Sequence, residues 1–140
     1  MQEILSTIIY SCLGIILMMA GTFIVDLIVP CHFPTEIKNG NQSVGYITAG
    51  YSIAVGIILK GAVISPSTIE ITQGLLEGVG STILYFFIGI IFCIIGYLVM
   101  KVFNKKYDLN KEITNGNPAA GLMVMGMFIG LAILISGVIY

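Results

Sequence analysis

The sequence has no arginine and no tryptophan, and only 9% of its 140 residues are charged. Soluble domains carry about 25% charged residues, so this chain cannot cover a globular surface with charge. Its hydrophobic fraction is 57% and its mean hydropathy is +1.03, which is typical of a protein that uses lipid as its solvent. A net charge of −1, with no large basic cluster, argues against nucleic acid as a partner.

Groups that carry chemistry are equally scarce. The only histidine, His32, follows Cys31, and no second pair of ligands with zinc spacing accompanies them. No nucleophile elbow, phosphate loop or metalloprotease motif occurs. We therefore predict no catalytic residues, no metal, no cofactor and no enzymatic activity. The centres of the apolar runs also lack ionisable residues, which argues against a proton- or sodium-coupled carrier.

Four apolar runs are each long enough to cross a bilayer, which takes about 20 residues. They extend over residues 4–29, 44–64, 81–102 and 119–140. The first run lacks a positively charged leader and exceeds the apolar core of a signal peptide, so we expect a retained helix. The expected fold is an all-α integral membrane protein with four transmembrane helices.

One stretch of sequence occurs twice. Glu36-Ile-Lys-Asn-Gly-Asn41 returns as Glu112-Ile-Thr-Asn-Gly-Asn117, an offset of 76, and residues 6–10 match residues 81–85 at an offset of 75. A one-residue slip inside a loop is well tolerated. The pattern predicts a tandem duplication of a helical hairpin, with repeats at 1–64 and 81–140 and a connector at 65–80. Units with an even number of spans are parallel.

The repeated turn has a complete structural interpretation. Asn-Gly favours a turn because both residues tolerate positive φ. The asparagine that follows is suited to cap the next helix, and a proline at the first helical position loses no hydrogen bond. A direct ligand-binding role is the alternative. The motif residues are Asn39, Gly40, Asn41, Asn115, Gly116, Asn117 and Pro118.

Glu36 and Glu112 are less well explained, because a carboxylate five residues before a cap has no evident helix function. They are the candidate functional acids of the sequence. They could pair with Lys38 or Lys111, form an acidic ring in an assembly of several copies, or remain solvated surface charges.

Small residues form stripes along all four predicted spans. In lipid, such residues let helix backbones approach closely. The stripes predict either packing within one subunit or homo-oligomerisation, and the sequence does not decide between them. The helix-packing residues are Gly14, Gly21, Gly50, Ala54, Gly61, Gly89, Gly96, Gly126, Gly130 and Gly137.

Lysine positions predict the orientation. Five lysines lie in or beside the two hairpin loops, whereas Lys60 alone lies towards the opposite side. The positive-inside rule then places the hairpin loops in the cytoplasm and both termini outside. On the outer side, the Ser67–Glu70 spacing of the connector suggests a short interfacial helix, with an irregular loop as the alternative.

The repeated turn and the glycine-rich helix after it resemble the YjfL-like bacterial inner-membrane proteins. The pattern Glu-Ile-x-Asn-Gly-Asn, with Gly40-Asn41 and Gly116-Asn117 as its signature positions, covers both hairpins. The first copy departs from the pattern with Ser43-Val44, where the second has Ala119-Ala120. The resemblance implies four helices in a bacterial cytoplasmic membrane, and the family is catalogued as a domain of unknown function.

Two functional hypotheses remain. The first is a homo-oligomer that forms an ion or small-solute channel or permeabilises the membrane. The second is a non-conducting subunit or scaffold that docks a cytoplasmic protein through the lysine-rich loop 101–117. The lipid bilayer is the expected partner in both.

Overall fold

Six α-helices make up most of the computed structural model, which describes residues 2–64 and 73–139. In chain order they are α1 (Gln2–Ile28), α2 (Phe33–Lys38), α3 (Gln42–Ile64), α4 (Gln73–Phe103), α5 (Leu109–Thr114) and α6 (Pro118–Ile139). Helices α1, α3, α4 and α6 are long and apolar enough to cross a membrane. The all-α fold with four candidate spans is therefore confirmed.

The described parts of the two halves have the same order of elements. Each has a long helix, a six-residue helix, an Asn-Gly-Asn turn and a second long helix. The turns were predicted, but the short helices α2 and α5 were not. Six residues hold fewer than two helical turns, so they show no hydrophobic period that sequence patterns could detect.

The end of the predicted connector is helical. Helix α4 begins at Gln73, so it includes residues 73–80. The rest of the predicted connector, residues 65–72 with the Ser67–Glu70 spacing, lies outside the described residues.

Helix α3 is the central element of the bundle. It contacts α1, α4 and α6, and its side chains Ile47, Tyr51 and Ile58 are buried. The other long helices carry large exposed apolar side chains, such as Ile16 and Phe103. Such a surface is stable only against lipid or another protein.

Helices α3 and α6 approach so closely that glycine is required at their crossing. A β-carbon at Gly50 would lie 2.7 Å from the Cα atom of Met125, and one at Gly121 would lie 2.6 Å from the Cα atom of Ser43. Both obstacles are backbone atoms, which cannot rotate away. These glycines therefore fix the spacing of the two helices.

Each half packs its own two long helices in the same way. A β-carbon at Gly21 in α1 would overlap Tyr51 in α3, and one at Gly96 in α4 would lie 2.9 Å from the Sδ atom of Met127 in α6. Gly96 corresponds to Gly21 at the offset of 75, and Met127 corresponds to Tyr51 at the offset of 76. The two pairs are thus equivalent contacts.

Candidate functional site at the paired turns

The two repeated turns have the same backbone geometry. Gly40 and Gly116 have φ values of 76° and 80°, in the left-handed region that favours glycine. The N–H of Gly40 donates to the carbonyl of Ile37 at 3.0 Å, and the N–H of Asn41 donates to the carbonyl of Glu36 at 2.9 Å. The second turn repeats both bonds at 3.0 Å. This is the Schellman motif, which ends a short helix and satisfies its last carbonyls.

The two glutamates are hydrogen-bonded to the turns. In the first turn, the Asn41 side-chain amide donates to the Glu36 carboxylate at 2.7 Å, and Asn117 donates to Glu112 at the same distance in the second. This bond directs the amide oxygen of Asn41 towards Val44, whose N–H donates to it at 3.2 Å. Each carboxylate also lies near the N-terminus of a long helix, where negative charge is favourable.

The glutamates therefore have a structural task that the sequence did not reveal. Each orients the asparagine that caps the next helix, and neither is a simple solvated charge. The Asn117 oxygen accepts the N–H of Ala119 at 3.0 Å, directly after Pro118. The motif thus ends one helix and begins the next within three residues.

The structure brings the two turns together at one end of the bundle. The Asn41 amide donates a second hydrogen bond, across the halves, to the carbonyl of Ile113 at 3.0 Å. Ile113 is fully buried. The Asn117 amide makes no equivalent bond to the first half among the hydrogen bonds of residues 2–64 and 73–139. We call the segments 39–41 and 115–117 the paired turns.

The short helices begin with different caps. The Asp108 carboxylate accepts the N–H groups of Asn110 and Lys111 at the start of α5. At the equivalent position before α2, His32 makes no side-chain cap. Instead the carboxylate of Asp26, near the end of α1, accepts the N–H of Phe33 at 2.6 Å.

Helix α5 is also tied to α4 by a side chain that sequence reasoning missed. The hydroxyl of Tyr97 hydrogen-bonds the side-chain oxygen of Asn110, and Tyr97 is buried. A tyrosine near the end of an apolar run usually indicates a membrane interface, and no sequence pattern points to this contact.

Cys31 lies beside the first turn in an unfavourable place for a thiolate. Burial and the nearby carboxylates of Glu36 and Asp26 raise the pKa of Cys31 to about 11. Among the described residues, no three His, Cys, Asp or Glu side chains are grouped so that they could hold a metal ion. The structure therefore offers Cys31 no ligand set and disfavours its nucleophilic form.

We predict that Cys31 reacts slowly with a water-soluble maleimide. A pKa two units above the ordinary value lowers the thiolate fraction at pH 7.5 about 100-fold. The rate should rise about tenfold per pH unit up to pH 10, since each unit raises the thiolate fraction by that factor. The matched control is Thr35→Cys in a Cys31→Ser background, at an exposed position. Equal rates for the two thiols at pH 7.5 would contradict the assigned environment.

The predicted packing residues fall into two groups. Seven lie buried or in close contact with a neighbouring helix: Gly14, Gly21, Gly50, Ala54, Gly61, Gly89 and Gly96. The other three, Gly126, Gly130 and Gly137, are exposed, and a β-carbon at any of them would meet nothing within 4 Å. The stripe on α6 therefore has no partner among residues 2–64 and 73–139.

The fold and the paired turns define a helical protein with four candidate membrane spans. Residues 1–139 match the family described as Domain of Unknown Function (DUF350). The chain belongs to this family, in agreement with the resemblance drawn from the repeated turn. No curated protein and no solved structure matches the chain.

Proposed function

We propose that this chain is one subunit of a homo-oligomeric membrane assembly that encloses a pathway for ions or small solutes. The observation that carries the proposal is the open face of α6, formed by Gly126, Gly130 and Gly137. Gly126 and Gly130 form a GxxxG pair, and in lipid such pairs let two helix backbones come into contact. Each glycine costs helix stability, about 1 kcal/mol relative to alanine, and lipid offers no compensating contact.

We propose the membrane orientation that the lysine positions in the sequence predict. Lys38, Lys101, Lys105, Lys106 and Lys111 are exposed near the paired turns, and Lys60 lies towards the other end of the bundle. The positive-inside rule favours paired turns in the cytoplasm of a bacterium and both termini outside. Equal element order and equivalent contacts in the two halves support a tandem duplication of a hairpin.

The charge and position of Lys60 favour an assembly that conducts ions over one that does not. It is the only charged residue in α3 and α6, and it is exposed. It lines a groove between these two helices together with Ile57, Ser136 and Gly137. If α3 and α6 of successive copies form the wall of a pathway, the Lys60 side chains place positive charge at one mouth, which attracts anions.

Conductance of the purified protein in planar bilayers tests this proposal. We expect ionic currents with a preference for anions, and we expect Lys60→Gln to shift the reversal potential towards that of cations. Lys105→Gln, at an exposed position in the loop after α4, is the control and should leave the reversal potential unchanged. An absence of current over a wide range of voltage, pH and lipid composition would overturn the channel hypothesis.

The alternative is a scaffold that docks a cytoplasmic protein through the loop 101–117. Lys101, Lys105 and Lys106 are exposed there, and the Asp108 cap holds the following turn in one conformation. These features suit an acidic partner surface. Crosslinking from Lys105 and Lys106 in native membranes distinguishes the hypotheses, since recovery of only this chain would count against a docked partner.

A further inference from the structure

The two halves of the chain are not related by a two-fold axis. Gly50 packs against Met125, so a two-fold relation would place their counterparts, Gly126 and Ala49, in contact as well. A β-carbon at Gly126 meets nothing within 4 Å, and Ala49 is exposed.

Two further contacts between α3 and α6 also argue against a two-fold axis. Gly61 packs against Ser136, but Gly137, the counterpart of Gly61, meets nothing within 4 Å. Gly121 packs against Ser43, but Gly45, the counterpart of Gly121, meets nothing. Helices α3 and α6 therefore meet through different faces. Such an interface is heterologous, and it leaves one copy of each face without a partner among residues 2–64 and 73–139.

The first unused surface is a groove between α4 and α6, which we call the outer groove. It is wholly apolar and is lined by residues that include Phe92, Leu134 and Val138. These side chains are 48%, 68% and 87% exposed.

The equivalent groove of the first half, between α1 and α3, is filled. The counterparts of Phe92, Leu134 and Val138 are Leu17, Ile58 and Ala62, and they are 7%, 3% and 6% exposed. Helix α4 packs against this groove, with Gly89 in contact with Ile58. Within the part of the chain that the structure describes, no helix fills the outer groove as α4 fills its counterpart.

The second unused surface lies on α1. In α4, the residues Thr82, Phe86 and Ile90 are buried. Their counterparts in α1, at the offset of 75, are Thr7, Ser11 and Ile15, and all three are exposed. The face that α4 uses to pack on the first half is therefore left uncovered on α1 by the described residues.

We infer that α1 of a second copy packs into the outer groove through its Thr7–Ile15 face. This contact would repeat, between copies, the contact that α4 makes with the first half. It deepens the proposed function, on which it rests for the existence of an oligomer, by naming the interface. Each copy offers one groove and one α1 face, so the assembly is head-to-tail.

The depth of the packed residues favours a closed assembly within one membrane. In α6, Met125 packs against Gly50 and Ser136 packs against Gly61. The counterparts of Met125 and Ser136 in α3 are Ala49 and Lys60, which lie one residue before Gly50 and Gly61. One residue is a rise of about 1.5 Å along a helix. The relation between the halves therefore has little translation along the helices, and repeating it keeps each new copy at the same depth.

Disulfide crosslinking in native membranes tests the interface. The background is the full chain with Cys12→Ser, Cys31→Ser and Cys93→Ala. By equivalence with the Gly89–Ile58 contact, the turn of α1 around Gly14 and Ile15 lies beside Leu134 of another copy. Gly14 is buried in its own copy, so the exposed Ile15 carries the crosslink. We expect Ile15→Cys with Leu134→Cys to form covalent dimers or larger multimers on mild oxidation, about tenfold more than the control, because disulfides require Cα atoms within about 7 Å.

The control pair is Ile16→Cys with Leu134→Cys. Ile16 is 62% exposed and Ile15 is 61% exposed, so random collisions would crosslink both alike, but Ile16 lies about 100° farther around α1.

The outcomes separate the proposals. Equal crosslinking of the control pair, or self-crosslinking of Ile15→Cys or Leu134→Cys alone, would overturn the head-to-tail interface. A monomer in lipid nanodiscs would overturn both the interface and the oligomer. Specific crosslinks without any conductance would support the interface and overturn only the channel.

Discussion

Gly121→Leu is expected to destabilise the folded chain by about 3 kcal/mol or more, the upper range for overpacking. A β-carbon at this position would lie 2.6 Å from the Cα atom of Ser43. The obstacle is backbone at the start of α3, so relief requires moving the two helices apart along their contact. Reversible unfolding of the monomer in mixed detergent micelles measures the change in the free energy of unfolding.

The matched control is Gly126→Leu, the same substitution five residues later in α6. A β-carbon there meets nothing within 4 Å, and removal of a helical glycine gains up to about 1 kcal/mol. The monomer should therefore be unchanged or slightly more stable. Equal destabilisation by the two substitutions would contradict the packing of α3 on α6.

The second large effect is expected at the paired turns. Asn41→Ala should lower the free energy of unfolding by about 3 kcal/mol, and Asn117→Ala should lower it by about 2 kcal/mol. Both remove a helix cap and the donor to a glutamate. Only Asn41 also donates to the carbonyl of Ile113 in the other half. The difference between the two variants measures this bond between the halves.

Variants that exchange the carboxylate of Glu36 and the amide of Asn41 provide the control. Asn41→Asp alone places two carboxylates side by side and should be at least as harmful as Asn41→Ala at neutral pH. Adding Glu36→Gln restores a donor–acceptor pair in reversed order, so the double variant should recover part of the loss. No recovery would contradict the Glu36–Asn41 hydrogen bond, and equal losses for Asn41→Ala and Asn117→Ala would contradict the asymmetry of the turns.

The membrane helices were predictable because their signal is compositional. A run of about 20 apolar residues has few alternatives to a span, and the predicted run 44–64 differs from α3 by two residues at its start. The turns were also predictable, since Asn-Gly specifies its backbone geometry locally. Gly40 and Gly116 have the positive φ that this pattern indicates.

The task of the glutamates was not predicted, although a signal was present. In a Schellman motif the residue three positions from the helix end and the residue after the glycine come together. Glu36 and Asn41 have this spacing, as do Glu112 and Asn117. The end of one helix and the start of the next have separate sequence signatures, so neither signature connects the two side chains.

The environment of each glycine stripe depends on tertiary structure. Gly50 and Gly126 occupy equivalent positions in the sequence, yet one is buried and the other is exposed. The difference arises because α3 is central and α6 is peripheral. A weak signal existed, since α3 is interrupted by Thr48, Ser52 and Lys60, whereas α6 contains only Ser136 among polar side chains.

The mass of the protein in native nanodiscs tests most directly whether this chain assembles from several copies. We expect one dominant species with a mass that is a fixed multiple of 15.0 kDa, two or more. We also expect Leu134→Glu, which places a charge in the apolar outer groove, to reduce this species to the monomer. A wild-type protein found only at 15.0 kDa would rule out the assembly.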